Sequence, residues 1–573
     1  MNRNTEVLFS QLPAVDIQRS TFNRSSAHIT TFNVGELIPI YCDEILPGDT
    51  VMINTSKVIR LQTLLTPIYD NLYLDTYWFF VPNRIIWDHW EEFCGANKSS
   101  AWAPTTTYSM PKIHSPASGF ETGTIADYLG IPVGVNFYGN DESGYAHFPT
   151  SLPFRAYARI CNDFFRDENL TDPLNIPTGD ANQYGTNGDN YINDVANGGK
   201  PFKVAKYHDY FTSALPAPQK GQAVNVPLPS FSGGDYSVYT STISTPPDAN
   251  WTPLTVTRAN SDGSFGHYVF NGQHLPMGMG KVNSNDNSFD WARVNGIQPF
   301  APDNLRVTIP GSDLTNMTIN DLRLAFATQR MLERNARGGT RYIEILRSHF
   351  GVTSSDGRLQ IPEYLGGNRV AISIREVANT AQSEKDFLGD VGANSFTADV
   401  HYDVEHSFTE HCYLMCVCCV RYDHTYSQGL ERMWTRNDFT DFYLPVFANI
   451  GEQPIKSSEI FFDGKANPPV FGYQEAWAEY RYKPNRVSGL MRPKTASASG
   501  DPPGSLAVWN LADYYTQRPT LSDSWIREDK TNVDRVLAVS SAVSDQILLD
   551  CYFDCKMTRP MPMYSIPGLL DHN

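Results

Sequence analysis

An all-β chain, cut by long loops and carrying only a few short helices, is the fold class this sequence predicts. Three observations carry that expectation. Aromatic residues are abundant, at 31 Phe, 30 Tyr and 10 Trp, and aromatics favour strands. Thirty-eight Pro and 40 Gly supply the punctuation of many turns. The clearest strand segments stand tens to hundreds of residues apart, so they must pair non-locally, as in a sandwich with long interstrand connections.

Taken in order, the first strong element is Asn71–Val81, NLYLDTYWFFV. Leu72, Leu74, Thr76, Trp78 and Phe80 fall on one face, and Tyr73, Tyr77, Phe79 and Val81 on the other with Asp75. A strand apolar on both faces is one packed on two sides. Ile86–Phe93 reads as a short helix, followed by a Pro-, Gly-, Ser- and Thr-rich insertion at about 99–149. Pro153–Asn169 has a helical stripe of Phe154, Tyr157, Ala158, Cys161, Phe164 and Phe165, with Arg155, Arg159, Asn162, Asp163 and Arg166 on the polar face. A second insertion, 178–199, is rich in Asn, Gly and Asp. The third and largest, Val226–Asp303, mixes Ser, Thr, Asn and Gly with aromatics and shows little helical periodicity. Connections this long in a compact domain are usually functional. Ile319–Ala336 reads as a helix, capped by Asn320 or Asp321 and stopped at Gly338–Gly339. Val370–Arg375 alternates as a half-buried strand, and Phe408–Val420 and Gln546–Lys556 are long strands. The chain thus divides into 1–225, the insertion 226–303, and 304–573.

Charge and composition narrow the function classes. Lys plus Arg total 45 against 62 Asp plus Glu, a net charge of −17. Such a surface repels phosphate as a whole. No apolar run reaches the ~18–20 residues needed to span a bilayer, and the start, MNRNTEVLFSQLP, has no apolar export signal. Nine cysteines without such a signal read as free thiols in a reducing compartment.

Catalytic and cofactor motifs are missing. There is no phosphate loop, dinucleotide fingerprint, zinc-protease helix or nucleophile elbow. Cys416 and Cys419 form a C-x-x-C near Cys412 and Cys418. On a strand, however, Cys412, Cys416 and Cys418 share one face and Cys419 points to the other, which disfavours zinc. Glu475 and Glu479 could mimic a glycosidase pair, but their spacing and Arg481 favour a salt-bridged surface. The loops 180–182 and 187–194 lack EF-hand spacing and read as Asx-turns, so structural calcium is an option without a motif. No cofactor is expected. Among basic segments, Arg323, Arg330, Arg334, Arg337 and Arg341 suit a solvated helix face paired with Asp321 and Glu333. Arg19 and Arg24 flank Phe22, an arrangement able to neutralise and stack on single-stranded nucleic acid.

Several blocks together resemble one family. They include Phe22–Arg24, Phe32–Val34, LIPIY at 37–41, DEILPGD at 43–49, DNLYLDTYWFFVPN at 70–83, Trp87–Trp90, KYHDYFTSALPAPQKG at 206–221, RNARGGTRYIEILRSHF at 334–350, PEYLGG at 362–367 and PVFGYQEAWAEYRYKPNRVSGLMRP at 469–493. They are similar to the major capsid proteins of the gokushovirus branch of the Microviridae, small tailless bacteriophages with circular single-stranded DNA. The likeness runs from about residue 18 to the C-terminus and is weak only in the three insertions.

The resemblance implies an eight-stranded antiparallel jelly roll of viral capsid type. It implies pentamers and a T=1 icosahedral shell around the genome, made in the bacterial cytoplasm and found in the virion. It also implies partners: a small basic internal DNA-binding protein, a DNA pilot protein, a transient scaffolding protein and a bacterial surface receptor. By position, Val226–Asp303 corresponds to a threefold protrusion and receptor contact, with Tyr236, Tyr239, Trp251, Phe265, Tyr268 and Trp291 as candidate contacts. The competing expectation is a secreted all-β carbohydrate-binding or carbohydrate-active protein. It would require an export signal and, for an enzyme, opposed carboxylates.

Overall fold

A computed structural model describes residues 18–98, 106–137, 148–222, 319–339, 342–351, 360–378, 391–465, 468–494 and 504–564, with short strands inside 236–307. Its described elements are mostly strands in antiparallel sheets, with few and short helices. Two compact units divide the chain: Met1–Gln222 with Arg330–Asn573, and Ala223–Gln329.

The larger unit is built on two sheets. The first contains β1 (Ser20–Asn23), β2 (Ser26–Phe32), β4 (Thr50–Leu61), β8 (Thr397–Ser407) and β10 (Ile547–Arg559). Both β1 and β2 pair with β10, which pairs with β4, which pairs with β8, all antiparallel. The second contains β3 (Glu36–Ile45), β5 (Leu72–Pro82), β6 (Phe202–Lys203), β7 (Glu363–Ala371) and β9 (Cys412–Tyr422), in the order β7-β5-β9-β3-β6.

Strand periodicity places one core between these sheets. Strand β4 turns Val51, Ile53, Ile59 and Leu61 inward while Met52, Asn54 and Arg60 face solvent. From β10, Ile547, Leu549, Cys551, Phe553, Cys555 and Met557 join them, and from β5 and β9 come Leu72, Leu74, Trp78, Phe80, Leu414 and Val420. The opposite face of the second sheet builds another core. There Phe79, Val81, Tyr413, Met415 and Val417 pack with Phe154, Tyr157 and Ile160 of helix α1 (Leu152–Ile160). This double cover is why β5 is apolar on both faces and why β9 is buried through nine successive residues. The first sheet has a solvent-facing outer side, so its strands alternate.

Sheet irregularities fall on special residues. Proline cannot donate to a ladder and is confined to edges and bulges. Pro39 lies where the β3–β9 register skips Ile40. In β7 the register skips Leu365, and Gly367 then passes so close to β5 that a Cβ there would sit 2.2 Å from the Thr76 carbonyl oxygen. The last glycine of the PEYLGG block is therefore required by strand approach.

Four expectations are corrected. Of the helix expected at Ile86–Phe93 only one turn forms, at Trp90–Phe93; a separate 3₁₀ turn, Asn83–Ile85, precedes it, and between the two the Asp88 N–H donates to the Thr178 carbonyl at 3.0 Å. The Pro153–Asn169 helix ends earlier. After α1 it widens into a π-turn, Cys161–Phe165, and stops where the Arg166 N–H returns to the Cys161 carbonyl and the backbone becomes extended. Its expected polar residue Arg155 is fully buried, bonded to Gln183 Oε1 at 2.7 Å and to the carbonyls of Ile86 and Gly179. Val370–Arg375 is not one strand. It spans the end of β7 and the start of a hairpin, Ile374–Ala378 with Val391–Ser395, with the break held by Ser373 N–H donating to Thr397 Oγ1.

In the smaller unit, Tyr236–Ser237 pairs with Arg306–Val307, Thr255–Ala259 with Phe265–Val269, and Gly280–Val282 with Phe289–Trp291. The predicted helix near 319–336 forms as α2 (Ile319–Gly338), which contributes to both units.

Candidate functional site

At the N-terminal edge, β1 lies antiparallel to the C-terminal end of β10, with Phe22 opposite Met557 and half-buried. The flanking arginines are both engaged within the chain. Arg24 lies 2.5 Å from Asp43 Oδ2, so a carboxylate compensates its charge. Arg19 donates to the Gly48 carbonyl and to Thr50 Oγ1, neutral acceptors that leave its charge in place.

Two polar clusters escape the sequence reading. In the first, Asp75 on β5 is buried, accepting from Arg369 of β7 at 2.7 Å, Arg421 of β9 at 2.7 Å, Tyr207 Oη at 2.8 Å and Tyr77 Oη at 3.1 Å. Burial alone would raise its carboxyl, but the two guanidinium groups and the Tyr207 hydroxyl hold it below the usual range. The Tyr207 ring lies against both guanidiniums, at 4.4 and 4.3 Å. The signal available in the sequence is an aspartate inside an otherwise apolar strand.

In the second, His424 is buried with its Nδ1 3.0 Å from Asp513 and its Nε2 2.9 Å from Glu528. Lys206 lies 3.8 Å from Asp513 and 4.6 Å from the centre of the Trp525 ring. Tyr515 and Asn532 donate to Asp513. Burial alone would depress the imidazole, but the two carboxylates overcome it and raise the pKa to about 9. Burial likewise opposes the Asp513 carboxylate, yet His424 and Lys206 hold it well below its usual range. The result is two cations locked against two anions, which joins segments near 206, 424, 513 and 528. Removing any one partner would leave a buried charge uncompensated, which is strongly destabilising.

The motif candidates resolve into structural roles. Cys412, Cys416 and Cys418 belong to the core between the sheets and Cys419 to the core on the other side of β9, so the C-x-x-C pair is split across a sheet. Burial lifts the thiols of Cys416 and Cys418 well above their usual range. Glu475 pairs with Arg481, and Glu479 with Arg436 at 3.1 Å. In the 178–199 loop, Asp180 accepts from Trp87 Nε1 at 2.7 Å, and Asn190 Oδ1 caps the Ile192 N–H as an Asx-turn. From the basic helix, Arg337 pairs with Glu452. Of the insertion residues, Tyr236, Phe265, Tyr268 and Trp291 lie in the short strands described above, while Tyr239 and Trp251 fall outside the described residues. Among the described residues, no helix is long and apolar enough to cross a membrane.

An antiparallel two-sheet core stitched by buried ion pairs is a scaffold, and the comparisons with known proteins say of what kind. Residues 10–569 match the family described as "Capsid protein (F protein)". The chain belongs to that capsid protein family. It is similar to the protein named Capsid protein VP1 of Spiroplasma virus 4, with 39% identity over 98% of this chain and 97% of the relative. The Capsid protein VP1 of Bdellovibrio phage phiMH2K is also 39% identical, over 99% of this chain and 98% of the relative. That of Chlamydia phage 1 is 36% identical over 98% and 97%. A capsid protein is a structural component rather than an enzyme, and its family implies assembly into an oligomeric shell.

Proposed function

We propose that this chain is the major shell-forming subunit of a phage virion with a single-stranded DNA genome, and that its two sheets are the halves of an eight-stranded antiparallel jelly roll. The strand order carries the reading. With β1 and β2 taken as one strand interrupted near Arg24, and the two-residue edge strand β6 beside β3 set apart as part of a connection, the first sheet runs β1/β2-β10-β4-β8 and the second β7-β5-β9-β3. Successive strands cross between sheets except from β5 to β7, the double Greek-key pattern of capsid jelly rolls. The relatives' printed names, each a capsid protein of a virus or phage, support the same role.

Pentamers, a T=1 shell and a bacterial receptor contacted through Val226–Asp303 extend this reading, as do the internal DNA-binding, pilot and scaffolding partners. So does a DNA-facing role for Arg19, Phe22 and Arg24. Among the described residues Arg19 donates only to neutral acceptors, whereas Arg24 is already paired. The first experiment expresses the full chain alone and with its phage's other virion proteins. Its products are followed by sedimentation and electron microscopy. Pentamer-sized bodies or closed shells are expected. A chain that stays monomeric in both settings and binds or cleaves glycans would transfer the reading to the carbohydrate-active alternative.

A further inference from the structure

Between the end of β9 and the Glu452–Lys456 strand, the chain folds into three successive 3₁₀ turns, Arg432–Thr435, Phe439–Asp441 and Pro445–Phe447. These turns carry an unusual load of large apolar side chains turned to solvent. Trp434 is 66% exposed, Phe439 74% and Val446 85%, and Met433, Phe442 and Tyr443 are about half exposed. They are not fraying. Arg432 is tied to Glu459 at 3.0 Å, and Arg436 to Glu479 at 3.1 Å. Arg436 also lies between the Phe442 and Tyr480 rings, at 5.2 and 4.5 Å. Asp438 and Asp441 close a reciprocal capping box. Trp477 underpins the turns from below, buried, with its Nε1 donating to the Phe447 carbonyl at 2.8 Å. It is the one described non-glycine residue with positive φ, +64°. Such backbone persists only where its surroundings hold it.

We infer that this turn cluster, 432–447 set on the Trp477–Tyr480 corner, is a contact surface for a second copy of this chain. The inference rests on the capsid reading and names one of the surfaces that shell assembly would cover. Area supports it. At ~200 Å² for a whole large side chain, the six exposed residues present roughly 700 Å². Spread over three adjoining turns, that area approaches the ~800 Å² each partner brings to a standard interface. Charge selects the occupant. Both arginines in the cluster are matched by carboxylates of the same chain, which leaves neither for a phosphate backbone. Beside Asn437, Asp438 and Asp441, of which the two aspartates are taken up by the capping box, the large exposed groups are Met, Trp, Phe, Tyr and Val. Aromatics held on a rigid, internally ion-paired base suit a protein interface, and a shell supplies another copy of the same chain at every edge.

The test is oxidative footprinting of wild-type chains, free and in purified particles. Trp434 and Phe439 should become several-fold less reactive on assembly. Alongside, Trp434→Asp with Val446→Asp should lower particle yield by an order of magnitude or more, while the free subunit keeps its near-ultraviolet dichroism and thermal midpoint. Particles whose Trp434 reacts as in the free subunit would overturn this inference and leave the capsid reading standing. So would protection that needs a different virion protein, or a double variant that assembles at wild-type yield. A wild-type chain that forms no assembly in any setting would overturn both.

Discussion

His424 shows what one buried group does here. With carboxylates on both ring nitrogens, its pKa rises from 6.5 to about 9. A group raised on folding contributes stability that is complete below the unfolded pKa and is lost as pH climbs through the folded one. The window is therefore pH 6.5 to 9, and the change across it is about 3 kcal/mol at ~1.4 kcal/mol per unit. Wild-type subunits should unfold at progressively lower temperature across that window. His424→Gln should be less stable at pH 6 and nearly flat from 6.5 to 9; a variant with the wild-type slope would exclude His424 as the source. Asp513 acts with the opposite sign, its stabilisation fading only as pH falls through its lowered pKa. The thiols give a second residue-scale prediction. Of the nine cysteines, Cys94 alone is exposed and Cys42 is intermediate. A bulky thiol reagent should label one site rapidly in the native chain and nine after denaturation. Fast labelling at Cys416 or Cys418 would contradict the packing of β9.

At the scale of elements, Lys57 decides how the first sheet meets the second. It sits on the inward face of β4 and is only 2% exposed. Its Nζ lies 3.1 Å from Thr76 Oγ1 on β5 and 3.5 Å from Asp399 on β8. One ammonium thus ties three strands and two sheets. Removing one partner of a buried pair costs about 3–5 kcal/mol, so Lys57→Ala should lower the denaturant midpoint of the free subunit markedly. Lys57→Met should recover much of that loss, because the aliphatic stem still fills the core. Equal loss in both variants would show that the charge, not the stem, holds the sheets. The strand β4 was also the element least visible in sequence. Its inner face carries Thr55 and Lys57 among apolar residues, which blurs the alternation by which strands are found.

For the whole molecule, the insertion and the N-terminal edge can be separated from the core by experiment. Deleting 232–295, inside the smaller unit, should leave a folded subunit whose particles attach poorly to host cells. An insoluble product or normal adsorption would contradict the receptor role proposed for that stretch. Changing Arg19 and Arg24 to Ala should reduce packaged DNA more than subunit stability. Given the Arg24–Asp43 pair, Arg19→Ala alone should account for most of the packaging effect. Unchanged DNA content would remove this edge from the genome-facing surface.

The sequence by itself determined the β class, the two-sided burial of β5, the faces of the β9 cysteines and, through long Trp-, Tyr- and Pro-rich blocks, the family. These depend on local periodicity and on residue identity, both of which survive in one dimension. The tertiary structure alone decided the order of strands in each sheet and the broken helix after β5. It also decided the burial of Arg155 and the meeting of Asp75 with Arg369 and Arg421, 294 and 346 residues away in the chain. It alone joined His424 to Asp513 and Glu528. Those outcomes depend on which distant segments share a desolvated space. A charged side chain is stable there only if its partner arrives from elsewhere in the chain, and no local pattern records where that partner lies.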